Sequence, residues 1–207
     1  MVTEARHHSG ESAFAAELVP LYPLALGDDW NSLDASLRRF HGVVATRHAA
    51  GTFNVKHGCN RGARRVARIL RLPAAGLGVP VHLAIRCEPR QHLPHGLVEI
   101  WERNFCGCTL TSHDWIDSAG LLVERFGLLE LSLRLHVQNG ALCFSGIRVS
   151  VVVGRLRLRL PRWLAPIVDA RTSGVSSPEG GFAVSVKLSH PMFGLLLAYE
   201  GWVVTAA

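Results

Sequence analysis

From Gly78 onward this chain alternates apolar and polar residues with a period of two, and that rhythm constrains the fold more than any other feature. Such a segment buries its apolar half only as a strand with one face turned inward. Val79, Val81, Leu83, Ile85 and Cys87 alternate with Pro80, His82, Ala84, Arg86 and Glu88. Leu129, Leu131, Leu133, Leu135 and Val137 repeat the pattern, and Asn139-Gly140 follows with the positive-φ tolerance a tight hairpin needs. Ile147, Val149, Val151 and Val153 share one parity, whereas Leu156, Leu158 and Leu160 share the other, which predicts a bulge or bend at Gly154. Further strands are predicted near Val43–His57, Leu97–Phe105, Thr109–Asp114, Leu121–Phe126, Phe182–Leu188 and Leu195–Val204. The total is roughly nine or ten strands joined by short turns. The expected fold is mainly β (α+β): an antiparallel sheet curled into a barrel or half-barrel.

The N-terminal third reads differently. Residues 1–12 are expected to be a flexible tail, and residues 13–207 a single β-rich domain. Two or three short helices are predicted: part of 13–26, limited by Pro20 and Pro23; a helix over Leu33–Phe40, capped by Asn31 or Ser32; and one over Arg61–Leu72. In the last, Val66, Ile69 and Leu70 make an apolar side and Arg61, Arg64, Arg65, Arg68 and Arg71 a basic one. With 48% hydrophobic and 18% charged residues, the chain is too apolar for a disordered protein.

Charge narrows the function classes. The formal net charge is +6, and the 22 basic residues are all arginine except Lys56 and Lys187. No acidic residue occurs from Ser36 to Cys87 or from Leu131 to Val168, so two stretches create a positive field that draws anionic partners. The basic helix, through Arg61, Arg64, Arg65 and Arg68, is a candidate contact for an anionic membrane surface. Nucleic acid is a poorer match, because the basic strand Arg155–Arg159 lacks interleaved aromatics. The five cysteines are too few and too scattered for a disulfide framework, and Cys106-Gly107-Cys108 lacks the second pair a zinc site needs. No cofactor or metal is expected, since no phosphate loop, dinucleotide fingerprint or nucleophile elbow occurs. Acidic residues near the start and no leader pattern lead to the expectation of a cytoplasmic protein.

Several segments carry a resemblance. They are Leu21-Tyr22 with Leu26-Gly27-Asp28-Asp29-Trp30; His41-Gly42; Trp101, Arg103 and Phe105; and Gly120 to Gly127. Leu160 to Pro166 with Asp169-Ala170, and Ser189-His190-Pro191 through Gly194, Tyr199 and Gly201, complete the set. Together they resemble an uncharacterised bacterial domain-of-unknown-function family, found alone or fused behind dehydrogenase-like NAD(P)-binding domains. The resemblance implies no activity, and this chain lacks the nucleotide-binding half.

The segment 97–105 is the most informative for a site. Leu97, Glu99, Trp101, Arg103 and Phe105 share one face, so charge sits beside large aromatics and must be paired, exposed or turned to a ligand. Arg103 is expected to meet Glu124 or an anionic ligand group. The leading expectation is a non-catalytic binding domain for a lipid-like or other mainly apolar small molecule, held against Trp101, Phe105 and Tyr199 with Arg103 and Glu124 as polar contacts. One alternative is an accessory module for a dehydrogenase-like partner, with a filled interior. The other is an isomerase or cyclase using Glu124 or His113 as acid–base.

Overall fold

The computed structural model describes residues 18–175 and 181–205; the expected tail lies outside the described residues. Two helices come first, α1 (Leu21–Leu26) and α2 (Ala35–His41), separated by a 3-10 turn at Gly27–Ser32. Then follow β1 (Arg47–His57), α3 (Arg61–Ile69), β2 (Gly76–Pro89), β3 (Leu97–Phe105), β4 (Cys108–Ile116) and β5 (Leu122–Phe126). The chain ends in β6 (Leu129–Gln138), β7 (Ala141–Val153), β8 (Leu156–Arg159), β9 (Ile167–Val175), β10 (Gly181–His190) and β11 (Gly194–Thr205).

All pairings are antiparallel, and they close. β1 pairs with both β2 and β11, and the order runs through β6 to β7, whose residues 142–145 pair with β9. The result is a ten-stranded barrel with β8 as an extra strand on the outer half of β7. Closure removes sheet edges and gives every strand an inside face. Leu83, Ile85, Leu97, Phe105, Leu133, Phe182 and Val203 are among the inward side chains, all buried in one core.

The predicted turns have a clear local cause. Asn139 and Gly140 both adopt positive φ and join β6 to β7, and Cys106 and Gly107 do the same between β3 and β4. The Cys-x-Cys segment is therefore a hairpin turn. His190, at the β10–β11 turn, accepts the Phe193 N–H at its carbonyl and the Met192 N–H at Nδ1.

Three readings need correction. Gly154 makes no bulge: with Arg155 it forms the two-residue turn of the β7–β8 hairpin, where Val153 pairs with Leu156. The real bulge lies at Ile147, an extra residue facing the Ser132–Leu133 step, which turns Ile147 outward and Val149 inward. The strand β9 is absent from the sequence reading because its inward residues, Val168, Ala170 and Thr172, are too small or polar to show an apolar rhythm. In α3 the buried side is Ala63 and Ala67, which let the helix pack closely on β11, while Ile69 is 71% exposed.

The two ends differ. At one end α1 and α2 seal the barrel with Leu21, Tyr22, Leu37 and Phe40, all buried. The N-cap of α2 is Asp34, not Asn31 or Ser32; its carbonyl accepts the Arg38 N–H at 2.9 Å, but its side chain makes no capping bond. Its carboxylate accepts the Gly174 N–H at 2.9 Å, and its own N–H donates to the Gly140 carbonyl at 2.9 Å, tying the helix to β9 and the β6–β7 turn. The other end is formed by α3, the β3–β4, β5–β6 and β10–β11 turns, and the β7–β8 hairpin. Among the described residues no helix is long and apolar enough to cross a membrane. We expect Leu37→Ala to lower stability by about 2–5 kcal/mol, as for a fully buried leucine whose site cannot collapse; urea unfolding of the two proteins measures the difference.

Candidate functional site: a polar cluster in an apolar barrel

The alternation of β3, β4 and β5 places three acidic residues side by side on the inner wall. Glu99 on β3 stands opposite Asp114 on β4, and Asp114 stands opposite Glu124 on β5. Directly opposed side chains in such a ladder have Cβ atoms about 4.5–5.5 Å apart. Three neighbouring carboxylates inside a barrel demand compensation.

Two arginines supply part of it. Arg47, on β1, reaches Glu99 with an N–O distance of 2.7 Å. It also donates to the Phe40 carbonyl at 2.7 Å, while the Trp101 indole N–H donates to the other Glu99 oxygen at 3.1 Å. This pair belongs to the sealed end and anchors α2. Arg103 reaches Glu124 at 3.2 Å, donates to Ser112 Oγ at 3.0 Å and lies over the Trp101 ring, 5.1 Å from its centre. Among the described residues Asp114 has no cation of its own, and its one side-chain hydrogen bond comes from the Ser112 hydroxyl at 3.1 Å.

The electrostatics follow from that arrangement. Burial, then the neighbouring Glu124, pushes the Asp114 carboxyl well above the usual carboxylate range, which favours its protonated form. Burial also raises Glu99, less strongly because Arg47 opposes it. Burial alone would weaken the Arg103 charge, yet Glu124, Tyr199 and Asp114 around it keep the guanidinium firmly protonated. His41, its ring centre 3.9 Å from that of Tyr22 and tilted 41° to it, is lowered to about 3 by burial and by the Arg47 charge, and among the described residues its Nδ1 has no hydrogen-bond partner.

Of these groups Tyr22, His41, Trp101, Arg103, Asp114, Glu124 and Tyr199 line a cavity of about 190 Å³. Its walls are apolar, with Phe53, Leu83, Phe105, Leu131, Phe182 and Leu197 among them. Tyr22 and His41 border it at the sealed end, and Leu70, Leu72, Phe126, Leu129 and Pro166, all partly exposed, border it at the other. Arg103 and Glu124 keep 18% and 21% of their side-chain surface exposed, facing the cavity they line.

Trp101, Arg103, Phe105, Glu124 and Tyr199 all line this one space. The rings of Phe105 and Tyr199 meet edge-on with centres 5.4 Å apart. Arg61, Arg64, Arg65 and Arg68 lie elsewhere, exposed on α3. His113 faces outward from β4, with Ser112 and Asp114 buried on either side, which removes it as an acid–base candidate for the interior. Sequence reasoning missed Asp114, Tyr22 and His41. Asp114 carried a usable signal, since Leu110, Ser112, Asp114 and Ile116 share one parity; Tyr22 and His41 carried none, because they reach the cavity from helices at the sealed end.

Residues 33–203 match the model of the family described as Domain of unknown function (DUF4166), and the chain belongs to that family. No curated protein matches it in sequence. A provisionally assigned thioesterase II from Thermobifida fusca is similar at 9% identity over 80% of this chain and 79% of that one, with a TM-score of 0.24. At that score the likeness carries no argument about fold or function.

The buried titrations give opposite pH dependences. His41 has a folded value near 3 against 6.5 unfolded, so between these values the unfolded chain binds more protons and stability falls as pH drops. Asp114 is raised in the folded state, so its contribution falls as pH rises above the unfolded carboxylate range. We expect His41→Phe to flatten the acid limb between about pH 6.5 and 3. Asp114→Asn should gain stability over the native protein progressively as pH rises above about 4. Chemical denaturation across pH measures both.

Proposed function

We propose that this protein is a binding domain for a mainly apolar small molecule carrying one neutral polar group, such as a hydroxyl or carbonyl. The observation that carries the reading is the apolar cavity with a buried carboxyl, two tyrosines and an imidazole nitrogen that has no partner among the described residues on its wall. Apolar surface supplies affinity, and a few convergent polar groups supply orientation. The space exceeds cavities of about 150 Å³ that already take up a benzene-sized molecule. A longer chain would require the partly exposed side chains around Leu70 and Phe126 to part.

Charge counting shapes the ligand. Arg103 already has Glu124 and Ser112 as partners, so an anionic head group would have to displace a carboxylate from it. A hydroxyl or carbonyl needs no such exchange: Asp114 donates, Glu124 accepts, and His41 Nδ1 does either according to its tautomer.

One observation favours a second reading, an isomerase or cyclase. A carboxyl biased toward its neutral form directly opposite a second carboxyl, inside an apolar cavity, is the arrangement that separates general acid from general base. In that case Asp114 and Glu124, not His113, are the pair. An unfilled interior also distinguishes this barrel from the sealed core expected of a purely structural accessory module.

Native mass spectrometry of the purified protein should show a co-purifying apolar molecule. Ala170→Trp, which fills the cavity, should lose it, with Leu188→Trp as the second blocker if the first variant fails to fold. A clean unliganded mass, with no apolar probe quenching interior tryptophan fluorescence, overturns the binding reading. Chromatography of the bound molecule separates the two readings: a carrier yields the same compound from the native protein and from Asp114→Asn, whereas an isomerase yields different isomer ratios.

A further inference from the structure

We propose that the open end of the barrel docks on an anionic phospholipid surface. The inference goes beyond the binding reading, although it supplies a route by which an apolar ligand could reach the cavity without crossing water.

Four observations converge on that end. The first is uncovered apolar surface: Leu77, 83% exposed, begins β2; Leu128 tips the β5–β6 turn; Trp163 follows β8; and Met192 sits in the β10–β11 turn. The second is the β7–β8 hairpin. Its residues Val153, Leu156 and Leu158 continue the inward parity of Val151 past the rim, where no strand faces them, and all three are exposed. The third is charge. Arg61, Arg64, Arg65 and Arg68 on α3, with Arg155 and Arg159 on the hairpin, are exposed at the same end. Among the described residues forming this end (58–78, 105–108, 126–130, 151–167 and 190–194), the one acid is Glu130, buried and paired with Arg157 at 2.9 Å. The fourth is access: Leu70, Leu72, Phe126, Leu129 and Pro166 border the cavity here.

The chemistry of the surface selects its partner. Apolar tips on several separate turns around a rim suit a broad yielding interface, where Leu, Met and Trp enter the head-group layer while arginines meet lipid phosphates. A nucleic acid backbone would reward the arginines but leave Leu77, Leu128 and Leu156 in water. Each arginine near an anionic bilayer is worth roughly a fivefold gain in partition.

The test is co-sedimentation of the full purified chain with vesicles of phosphatidylcholine, with or without phosphatidylglycerol. The protein should sediment with the anionic vesicles, stay in solution with the neutral ones, and be released by about 0.5 M salt. The surface variant R64E/R68E should weaken partition at least about tenfold, and L128S/L156S several-fold, with far-UV circular dichroism unchanged in both. No sedimentation with anionic vesicles overturns the proposal. So does partition indifferent to both variants. So does partition that depends on the arginines alone and is abolished by competing duplex RNA, which would assign the face to nucleic acid. Ala170→Trp should dock normally, so failure of the cavity reading and failure of this one remain distinguishable.

Discussion

Closure of the barrel is the constraint on which everything else in this structure rests. The β6–β7 and β7–β9 pairings turn a meandering sheet into a tube, and every second residue of ten strands loses its access to bulk water. For leucine and phenylalanine that loss is the main stabilising term, at about 25 cal/mol for each Å² buried. For a charge it is a cost of several kcal/mol unless a partner is at hand. Once closed, the same geometry that makes the core also forces Glu99, Arg103, Asp114 and Glu124 to solve their electrostatics with one another.

The two ends of the tube solve different problems. At the sealed end the helices bring buried apolar side chains, and Arg47 of β1, paired with Glu99 of β3, holds the Phe40 carbonyl. At the other end the strands run out against turns that leave apolar residues uncovered. Nothing in strand chemistry requires the hairpin β7–β8 to extend beyond its neighbours; a shorter connection to β9 would leave less apolar surface in water. The asymmetry of one stoppered and one uncovered end gives the interior a direction.

Much of this was legible in the sequence, for identifiable reasons. Alternation in β2, β3 and β6 involves large apolar residues on one side, so strand, face and antiparallel class could be read directly. Arg103 and Glu124 could be paired in advance because both interrupt apolar faces. The β9 strand was hidden, since its inward Ala170 and Thr172 produce no apolar contrast. The parity change at Gly154 was seen but assigned to a bulge or bend within one strand, because a flip in register looks the same in sequence whether the strand continues or ends in a hairpin turn. The stopper was illegible too. Asp34 lies 140 residues from the Gly174 N–H it binds, and no local pattern encodes a contact that exists only after closure.

The carboxyl of Asp114 is the remaining question, and its neighbours sharpen it. Glu99 has an evident structural task, since it holds Arg47 and Trp101 and through them α2. Glu124 neutralises Arg103. Among the described residues Asp114 holds only Ser112, a hydroxyl that Arg103 already engages, and the acids on either side of it raise the cost of ionising it. A leucine there would extend the face made by Leu110 and Ile116 and add apolar burial, and replacing buried polar groups by well-packed apolar ones is often neutral or stabilising. Stability alone therefore gives no account of this residue. A neutral acid on the cavity wall is accounted for if something enters the cavity with a group for it to meet. Arg103 then has a role beyond pairing: with Glu124 engaged and Asp114 protonated, the cluster is neutral overall, and an uncharged ligand enters without disturbing its balance.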